Sequence, residues 1–274
     1  MNYAQVFSQL EKEISLAGAE KEALEYVFLA KKKWTKTDYI LKQNDSVPQK
    51  DYQLLVEITK QLKEHYPAQY LVGEVEFHGA RLQVDKRVLI PRPETEELVD
   101  LILKENLEDD LSVLDIGTGS GAIAIALAKE KPSWFVTASD LSSEALALAK
   151  ENADNNQVEI TFSQSDVFST ISESFDLIIS NPPYIAKEAI NEVDSNVLLH
   201  EPHSALFADN NGLAIYEKIA KESKNHLKQN GKIYLEIGYE QGQLVKELFE
   251  TSFPSKTIRI IKDSFGLDRM VVIL

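Results

Sequence analysis

The sequence predicts an α/β fold, in which a parallel sheet with helices on both faces follows a small helical domain. Three observations carry this prediction. Short apolar runs alternate with helical patterns over the later part of the chain, as in successive βαβ units. A glycine-rich turn joins one of these runs to the helix after it. In the first 70 residues, apolar side chains instead recur at helical spacing.

Composition limits the possible functions. The chain has 274 residues, 43% hydrophobic and 27% charged, with no cysteine and a net charge of −15. The lack of cysteine excludes disulfides and cysteine-ligated zinc, and it is typical of a cytoplasmic protein. No apolar run reaches the roughly 20 residues of a membrane span, and the first residues lack the pattern of a secretory signal. Because the chain is acidic, we expect no direct binding to nucleic acid.

The chain divides into three predicted parts. Val6, Leu10 and Ile14 recur every four residues, which indicates a helix with one buried face. After residue 70 the pattern changes to short strands with a turn at Gly79, and Val88–Ile90 is expected to be a strand as well. The predicted parts are a helical domain at 1–70, a hairpin linker at 71–90 and an α/β domain at 91–274.

Strands and helices alternate in the α/β domain. Seven strands are predicted, at Val113–Ile116, Phe135–Ser139, Ile160–Phe162, Leu177–Ile179, Ile233–Ile237, Thr257–Ile261 and Met270–Leu274. Four helices are predicted at 120–130, 143–155, 212–228 and 241–251. The run Ile90–Glu96 has the features of a hinge followed by a helix start, since proline is favoured in a first turn.

The turn Gly117–Gly121 has the features of a cofactor site. Glycines permit a tight turn and close approach of a ligand, and the N–H groups of the helix start favour an anionic group. Asp140 ends the next strand, about 20 residues later, where an acid typically binds ribose hydroxyls. Asp166 follows the third strand and either binds an adenine amino group or is an ordinary loop carboxylate. The spacing G-x-G-x-G matches neither the dinucleotide fingerprint nor the Walker loop.

Asn181-Pro182-Pro183-Tyr184 follows the fourth strand, at the sheet edge where ligands bind in open α/β folds. The Asn181 side-chain oxygen and the Pro182 carbonyl are two acceptors suited to a planar NH₂ group, and Tyr184 offers it a flat face. An amide nitrogen is a weak nucleophile, because its lone pair is delocalised. Two acceptors orient it and return electron density to it. The tetrapeptide therefore predicts methyl transfer to nitrogen from an activated donor, without a metal.

Together these motifs resemble those of class I S-adenosylmethionine-dependent methyltransferases. Further segments strengthen the likeness to one branch, the HemK-type N5-glutamine methyltransferases of peptide-chain release factors. The resemblance extends from about residue 69 to the end of the chain. The segments are Gln69–Phe77, Val88–Glu96, Ser180–Ile185, Glu201-Pro202 and Ala205-Leu206.

The resemblance implies a Rossmann-like, seven-stranded class I methyltransferase sheet with a reversed last strand. It also implies an N-terminal helical bundle. Because one glutamine side chain offers too little surface for selectivity, we expect this bundle to recognise the substrate. The implied reaction is methylation of the glutamine in the Gly-Gly-Gln motif of bacterial class I release factors, with S-adenosylhomocysteine as product. We expect a monomer whose partner is the release factor.

The resemblance also assigns site residues by position. Catalysis is assigned to Asn181, Pro182 and Tyr184, and substrate binding to these three together with Pro183. In some family members an aromatic side chain packs near adenine where this chain has Val167. The residues expected at the cofactor are Gly117, Thr118, Gly119, Ser120, Gly121, Asp140, Asp166, Val167 and Asn181.

Three other interpretations are disfavoured by the sequence. An N6-adenine methyltransferase of DNA or RNA uses the same Asn-Pro-Pro-Tyr motif, but it needs a basic groove to hold the nucleic-acid backbone on either side of the target base. A cofactor-binding protein without catalysis is disfavoured by the intact tetrapeptide. A metal site at His200-Glu201 is disfavoured because the other histidines are scattered and no carboxylate-rich ligand spacing surrounds the pair.

Overall fold

The structure, a computed structural model, describes residues 1–274 and divides them into two compact units. The helical unit comprises Met1–Glu74 and Val193–His200, and the sheet unit comprises Val75–Glu192 and Glu201–Leu274. None of the helices combines the length and the apolar character needed to cross a membrane.

The helical unit contains six helices around one apolar cluster. Val6, Leu10 and Ile14 are all buried, as their spacing predicts. Asn2 and Gln5 form a capping box that fixes the start of the first helix. The helices are α1 Tyr3–Leu16, α2 Glu22–Lys32, α3 Lys36–Lys42, α4 Gln49–Lys63, α5 Ala68–Val72 and, much later in the chain, α9 Ser195–His200.

Helix α9 is held in the helical unit by its last residue. His200 Nε2 lies 3.1 Å from the carbonyl oxygen of Glu64, and its ring contacts Tyr66 edge-on with centroids 4.9 Å apart. This helix was not predicted from the sequence, because six residues carry too little periodicity to be recognised.

A two-stranded hairpin precedes the main sheet. Strands β1 Glu74–Phe77 and β2 Ala80–Gln83 pair around Gly79, whose φ of +71° favours glycine, and the predicted hairpin is confirmed. The prediction of a strand at Val88–Ile90 is wrong. The Ile90 N–H donates to the buried Glu201 carboxylate at 2.9 Å instead of to a neighbouring strand.

The main sheet has seven strands in the order β10-β11-β9-β6-β3-β4-β5. All seven predicted strands are confirmed within a few residues, except that β9 begins six residues earlier than predicted. Strand β11 runs antiparallel to both of its neighbours, and the other pairs are parallel. The reversed strand implied by the resemblance is therefore present. The strands are β3 Ser112–Ile116, β4 Phe135–Asp140, β5 Thr161–Gln164, β6 Phe175–Ser180, β9 Leu227–Glu236, β10 Ile258–Lys262 and β11 Asp268–Ile273.

Five helices and a short parallel strand pair complete the sheet unit. The helices are α6 Pro93–Glu105, α7 Ala122–Glu130, α8 Ser143–Asn156, α10 Ala214–Glu222 and α11 Gly242–Ser252, and the pair is β7 Ile185–Ala186 with β8 Phe207–Ala208. The helix start after Ile90 is confirmed, with Pro93 in the first turn of α6. The predicted helix 212–228 is too long. It ends at Glu222, because Leu227 is already paired with Phe175 of β6.

Alternate strand residues face two apolar clusters, one on each face of the sheet. Val113 and Leu177 belong to one cluster, while Leu114 and Ile178 belong to the other. Strands buried on both faces appear as continuous apolar runs, which is why they were recognisable in the sequence. The parallel strands end at one edge. The order in which successive strands are added to the sheet changes direction at β3, because β3 lies between β4 and β6.

Candidate active site

The glycine turn between β3 and α7 forms an open cradle at this edge. Gly117 and Gly119 have φ values of +72° and +56°, and no atom lies within 4 Å of the position a Cβ would take in either. Gly121 differs, since its Cβ would lie 2.9 Å from Ile125 Cδ1 and 3.3 Å from Ala149 Cβ. The first two glycines therefore leave room for a ligand, and the third permits α8 to pack closely.

Asp115 stabilises the glycine turn through a buried hydrogen bond. It is 1% exposed, and its Oδ2 accepts a hydrogen bond from Thr118 Oγ1 at 2.6 Å. Burial raises the pKa of the Asp115 carboxyl to about 7. Because the short Thr118 bond spans only three residues, it fixes the conformation of the turn locally.

Asp140 at the end of β4 links the turn to the next helix. Its Oδ2 accepts from the Gly119 N–H and its Oδ1 from the Ser142 N–H, both at 2.9 Å. Burial raises the pKa of this carboxyl, and the two backbone bonds oppose that rise. Ionised carboxylate oxygens accept more than one hydrogen bond each, so Asp140 keeps acceptor capacity for ribose hydroxyls.

A cavity of about 250 Å³ lies against these residues, within the sheet unit. Of the sequence-predicted residues, Gly121 and Tyr184 do not line it. Gly121 packs against α8, and Tyr184 packs against the apolar cluster that contains Tyr216. The predicted residues that the cavity brings together are Gly117, Thr118, Gly119, Ser120, Asp140, Asp166, Val167, Asn181, Pro182 and Pro183.

Asp166 and Val167 form one wall of the cavity. The Asp166 carboxylate is paired with Lys218 Nζ at 2.8 and 2.9 Å, so part of its acceptor capacity is used inside the protein. Val167 is buried and has a φ of +55°. A β-branched residue rarely adopts this conformation, and such strained backbone occurs often at ligand sites.

Asn181 is held by a chain of polar contacts that was not predicted from the sequence. Its Nδ2 donates to Thr95 Oγ1 at 3.2 Å, and Thr95 Oγ1 donates to Glu236 Oε2 at 2.7 Å. Thr95 belongs to α6 and Glu236 ends β9, which is parallel to the strand before Asn181. The available signal was a charged residue directly after an apolar strand run at the same sheet edge.

Glu201 fixes the opposite wall. Besides the Ile90 N–H, it accepts from Arg92 Nη2 at 2.6 Å, and its side chain is 1% exposed. Arg92 lines the cavity between two prolines. The segment at Ile90–Pro93 is thus rigid through both proline geometry and a buried ion pair. His200 and Glu201 have separate partners, and no cluster of three or more potential metal ligands occurs in the chain.

Curated relatives match the chain over nearly its whole length. A release factor glutamine methyltransferase of Streptococcus pneumoniae is 55% identical over 100% of this chain and 98% of its own. Namesakes from Enterococcus faecalis and Staphylococcus aureus are 45% and 38% identical over at least 98% of both chains. The chain belongs to the release factor glutamine methyltransferase family. Family patterns agree, since residues 98–265 match the Methyltransferase small domain and residues 5–73 match the PrmC N-terminal domain.

Solved structures agree with the fold of this methyltransferase. A methyltransferase from Pyrococcus furiosus has a TM-score of 0.54 at 21% identity, over 71% of this chain and 88% of its own. The Thermus thermophilus 16S rRNA N2 G1207 methyltransferase, in complex with AdoMet and guanosine, has a TM-score of 0.52 at 16% identity, over 73% and 49%. At these identities the likeness supports the class I methyltransferase fold alone.

Proposed function

We propose that this methyltransferase transfers a methyl group from S-adenosylmethionine to the side-chain amide nitrogen of the Gly-Gly-Gln glutamine in bacterial class I release factors. The observation that carries the proposal is the orientation of Asn181. Its amide NH₂ is bound inside the protein by Thr95, which directs the amide oxygen away from Thr95 at a cavity-lining position next to Pro182. Relatives named for this activity share 38% to 55% of the sequence over at least 98% of their own length.

The residues at the glycine turn fit S-adenosylmethionine. A side chain at Gly117 or Gly119 would place its Cβ in the open space above the turn. The absence of these side chains leaves that space as a cradle for a ligand. Asp140 would bind the ribose hydroxyls, and Thr118 and Ser120 would line the amino-acid end. Asp166 and Val167 would lie at the adenine. When bound, this cofactor supplies a methyl group that is already activated on a sulfonium.

The glutamine nitrogen would be oriented and activated by Asn181, Pro182 and Pro183. Asn181 Oδ1 and the Pro182 carbonyl would accept the two hydrogens of the glutamine NH₂, which orients its nitrogen and increases its electron density. Pro182 and Pro183 cannot donate, so no backbone N–H competes for these acceptors. Tyr184 would contribute its ring after a movement, since in this conformation it packs beside Gly238.

The helical domain at 1–70 would recognise the release factor, and the α/β domain at 91–274 would catalyse the transfer. One glutamine side chain offers too little surface for selectivity, so a second contact area is needed. The hairpin at 71–90 would link the two domains. A release factor substrate implies that the enzyme acts in the cytoplasm, where translation takes place. We propose that it acts there as a monomer.

Methyl transfer from labelled S-adenosylmethionine to a purified bacterial class I release factor tests this proposal. The matched control is a release factor in which the Gly-Gly-Gln glutamine is replaced by alanine. We expect label on the wild-type factor alone. Label on both factors would place the target elsewhere on the factor. No label on either, or transfer to adenine in oligonucleotides instead, would overturn the proposal.

A further inference from the structure

Three side chains from distant parts of the chain form a linear hydrogen-bonded series beside the cavity. Glu236 is 2% exposed and Thr95 is 5% exposed, so water cannot readily replace the hydrogen-bond partner of either side chain. Thr95 Oγ1 lies 2.7 Å from Glu236 Oε2 and 3.2 Å from Asn181 Nδ2. Only Thr95 and Asn181 line the cavity, and Glu236 lies behind them.

The chemistry of this series permits one direction of donation. An ionised carboxylate only accepts, so the single hydroxyl hydrogen of Thr95 must point to Glu236. Thr95 then has only lone pairs left for Asn181. The Asn181 amide must present its NH₂ to those lone pairs, because the opposite orientation would bring two acceptors together. Its oxygen is therefore directed away from Thr95.

We infer that Glu236, acting through Thr95, is a positioning residue that keeps the Asn181 amide oxygen directed at the substrate NH₂. This inference rests on the proposed function, since it concerns the group that would accept from the glutamine. A flipped Asn181 would offer an NH₂ to the substrate NH₂, and two donors cannot pair. The series thus sets which of two nearly isosteric amide orientations is present.

The surroundings of Glu236 are consistent with this role. Burial raises the pKa of its carboxyl to about 7, although the hydrogen bond from Thr95, the charge of Arg269 and the nearby Asn181 NH₂, which donates to Thr95, oppose the rise. Glu94 on α6 faces it as a like charge. Tyr216 of α10 donates to the Glu236 backbone carbonyl at 2.7 Å, which fixes the main chain. The Tyr184 hydroxyl is close enough to Glu236 and Arg269 to interact electrostatically with both.

Protonation of Glu236 would remove the fixed direction. A carboxylic acid can donate to Thr95, whose own hydrogen then becomes available to the Asn181 oxygen. Wild-type kcat at saturating cofactor is therefore expected to fall as the pH decreases below about 7. Glu236→Gln mimics the neutral, donor-capable acid. We expect its kcat at pH 8 to match the low-pH value of the wild type, without the decrease below pH 7.

Two substitutions of Thr95 separate positioning from packing. Thr95→Val keeps the shape but removes the hydroxyl, and Thr95→Ser keeps the hydroxyl but removes a methyl group. We expect at least a tenfold loss of kcat in the valine variant and less than a threefold loss in the serine variant. In a variant that already carries Asn181→Ala, Thr95→Val should lower kcat no further, because Thr95 acts through Asn181.

Cofactor affinity by calorimetry and thermal melting accompany each kcat measurement. The inference is overturned if the serine variant is the slower one, since that is the order expected of packing. It is equally overturned if the loss lies only in cofactor affinity and kcat at saturation is unchanged. Should the valine variant fail to fold, the pH profile of Glu236→Gln decides. An inactive wild-type enzyme would instead refute the proposed function.

Discussion

Asp140 shows how one side chain can shape a turn and still serve a ligand. Its two oxygens accept from Gly119 and Ser142, which joins the glycine turn to the start of α8. The same carboxylate lines the cavity. Loss of this side chain therefore removes both a direct contact to the cofactor and a constraint on the turn that would hold it.

Asp140→Ala is expected to weaken S-adenosylmethionine binding by at least tenfold, because a bidentate acceptor for ribose hydroxyls is lost. Calorimetry on the purified enzyme measures the change. Asp176→Ala is the matched control, since Asp176 binds Ser112 and Lys228 at the opposite end of β6. Equal affinities for the wild type and the Asp140 variant would remove Asp140 from the cofactor site.

At the scale of the element, the strand-to-helix turn makes different demands on its glycines. Gly117 and Gly121 both have positive φ, at +72° and +84°. Alanine at either position meets a backbone cost of about 1–2 kcal/mol. Only at Gly121 does the added Cβ also collide with Ile125 and Ala149. The third glycine is thus required for packing, and the first for conformation and ligand approach.

Gly121→Ala should lower the free energy of unfolding more than Gly117→Ala does, by about 1–3 kcal/mol of overpacking. Gly117→Ala should in turn affect cofactor binding more strongly, because its Cβ would enter the open cradle. Urea unfolding and calorimetry of the two variants provide the comparison. The reverse order of stabilities would contradict the packing role given to Gly121.

The strands, the glycine turn and the tetrapeptide were predictable because each is a local pattern. Leu177–Ile179 is recognisable as a strand since both faces are buried, whatever surrounds it. The support of Asn181 was not predictable in the same way. Thr95 and Asn181 are 86 positions apart, and Thr95 and Glu236 are 141 apart. No local period connects such residues, and only the folded sheet edge brings them together.

The errors have the same origin. Val88–Ile90 has the composition of a strand, but the Ile90 N–H is taken by Glu201, whose carboxylate lies 111 positions away. The helix predicted to 228 ends at Glu222, because the pairing of β9 with β6 begins at Leu227. In both places a tertiary hydrogen bond overrides the local preference of the sequence.

Across the whole molecule, buried carboxyls make stability depend on pH. Burial raises the pKa of Asp115 and that of Glu236 to about 7 each. Between the ordinary carboxyl pKa values near 4 and about 7, the folded state therefore binds more protons than the unfolded state. Stability falls as pH rises through this window, by on the order of 4 kcal/mol for each group.

We expect the melting temperature of the cofactor-free enzyme to fall by several degrees between pH 5.5 and pH 8. Asp115→Asn and Glu236→Gln should each flatten this dependence, since neither replacement titrates. Differential scanning calorimetry at constant ionic strength measures it. A melting temperature that rises over the same range would show that ionisation of these two carboxyls does not control stability there.

Helix α9 has a consequence for how such a protein can be recombined. Residues 193–200 fold with the helical unit, yet they are encoded between Asn181-Pro182-Pro183-Tyr184 and Glu201. A gene fusion that replaced only the first 74 residues would leave His200 facing a foreign partner instead of Glu64 and Tyr66. The amino-terminal domain is therefore not a detachable module in the genetic sense, and its exchange between relatives requires a second, internal crossover around α9.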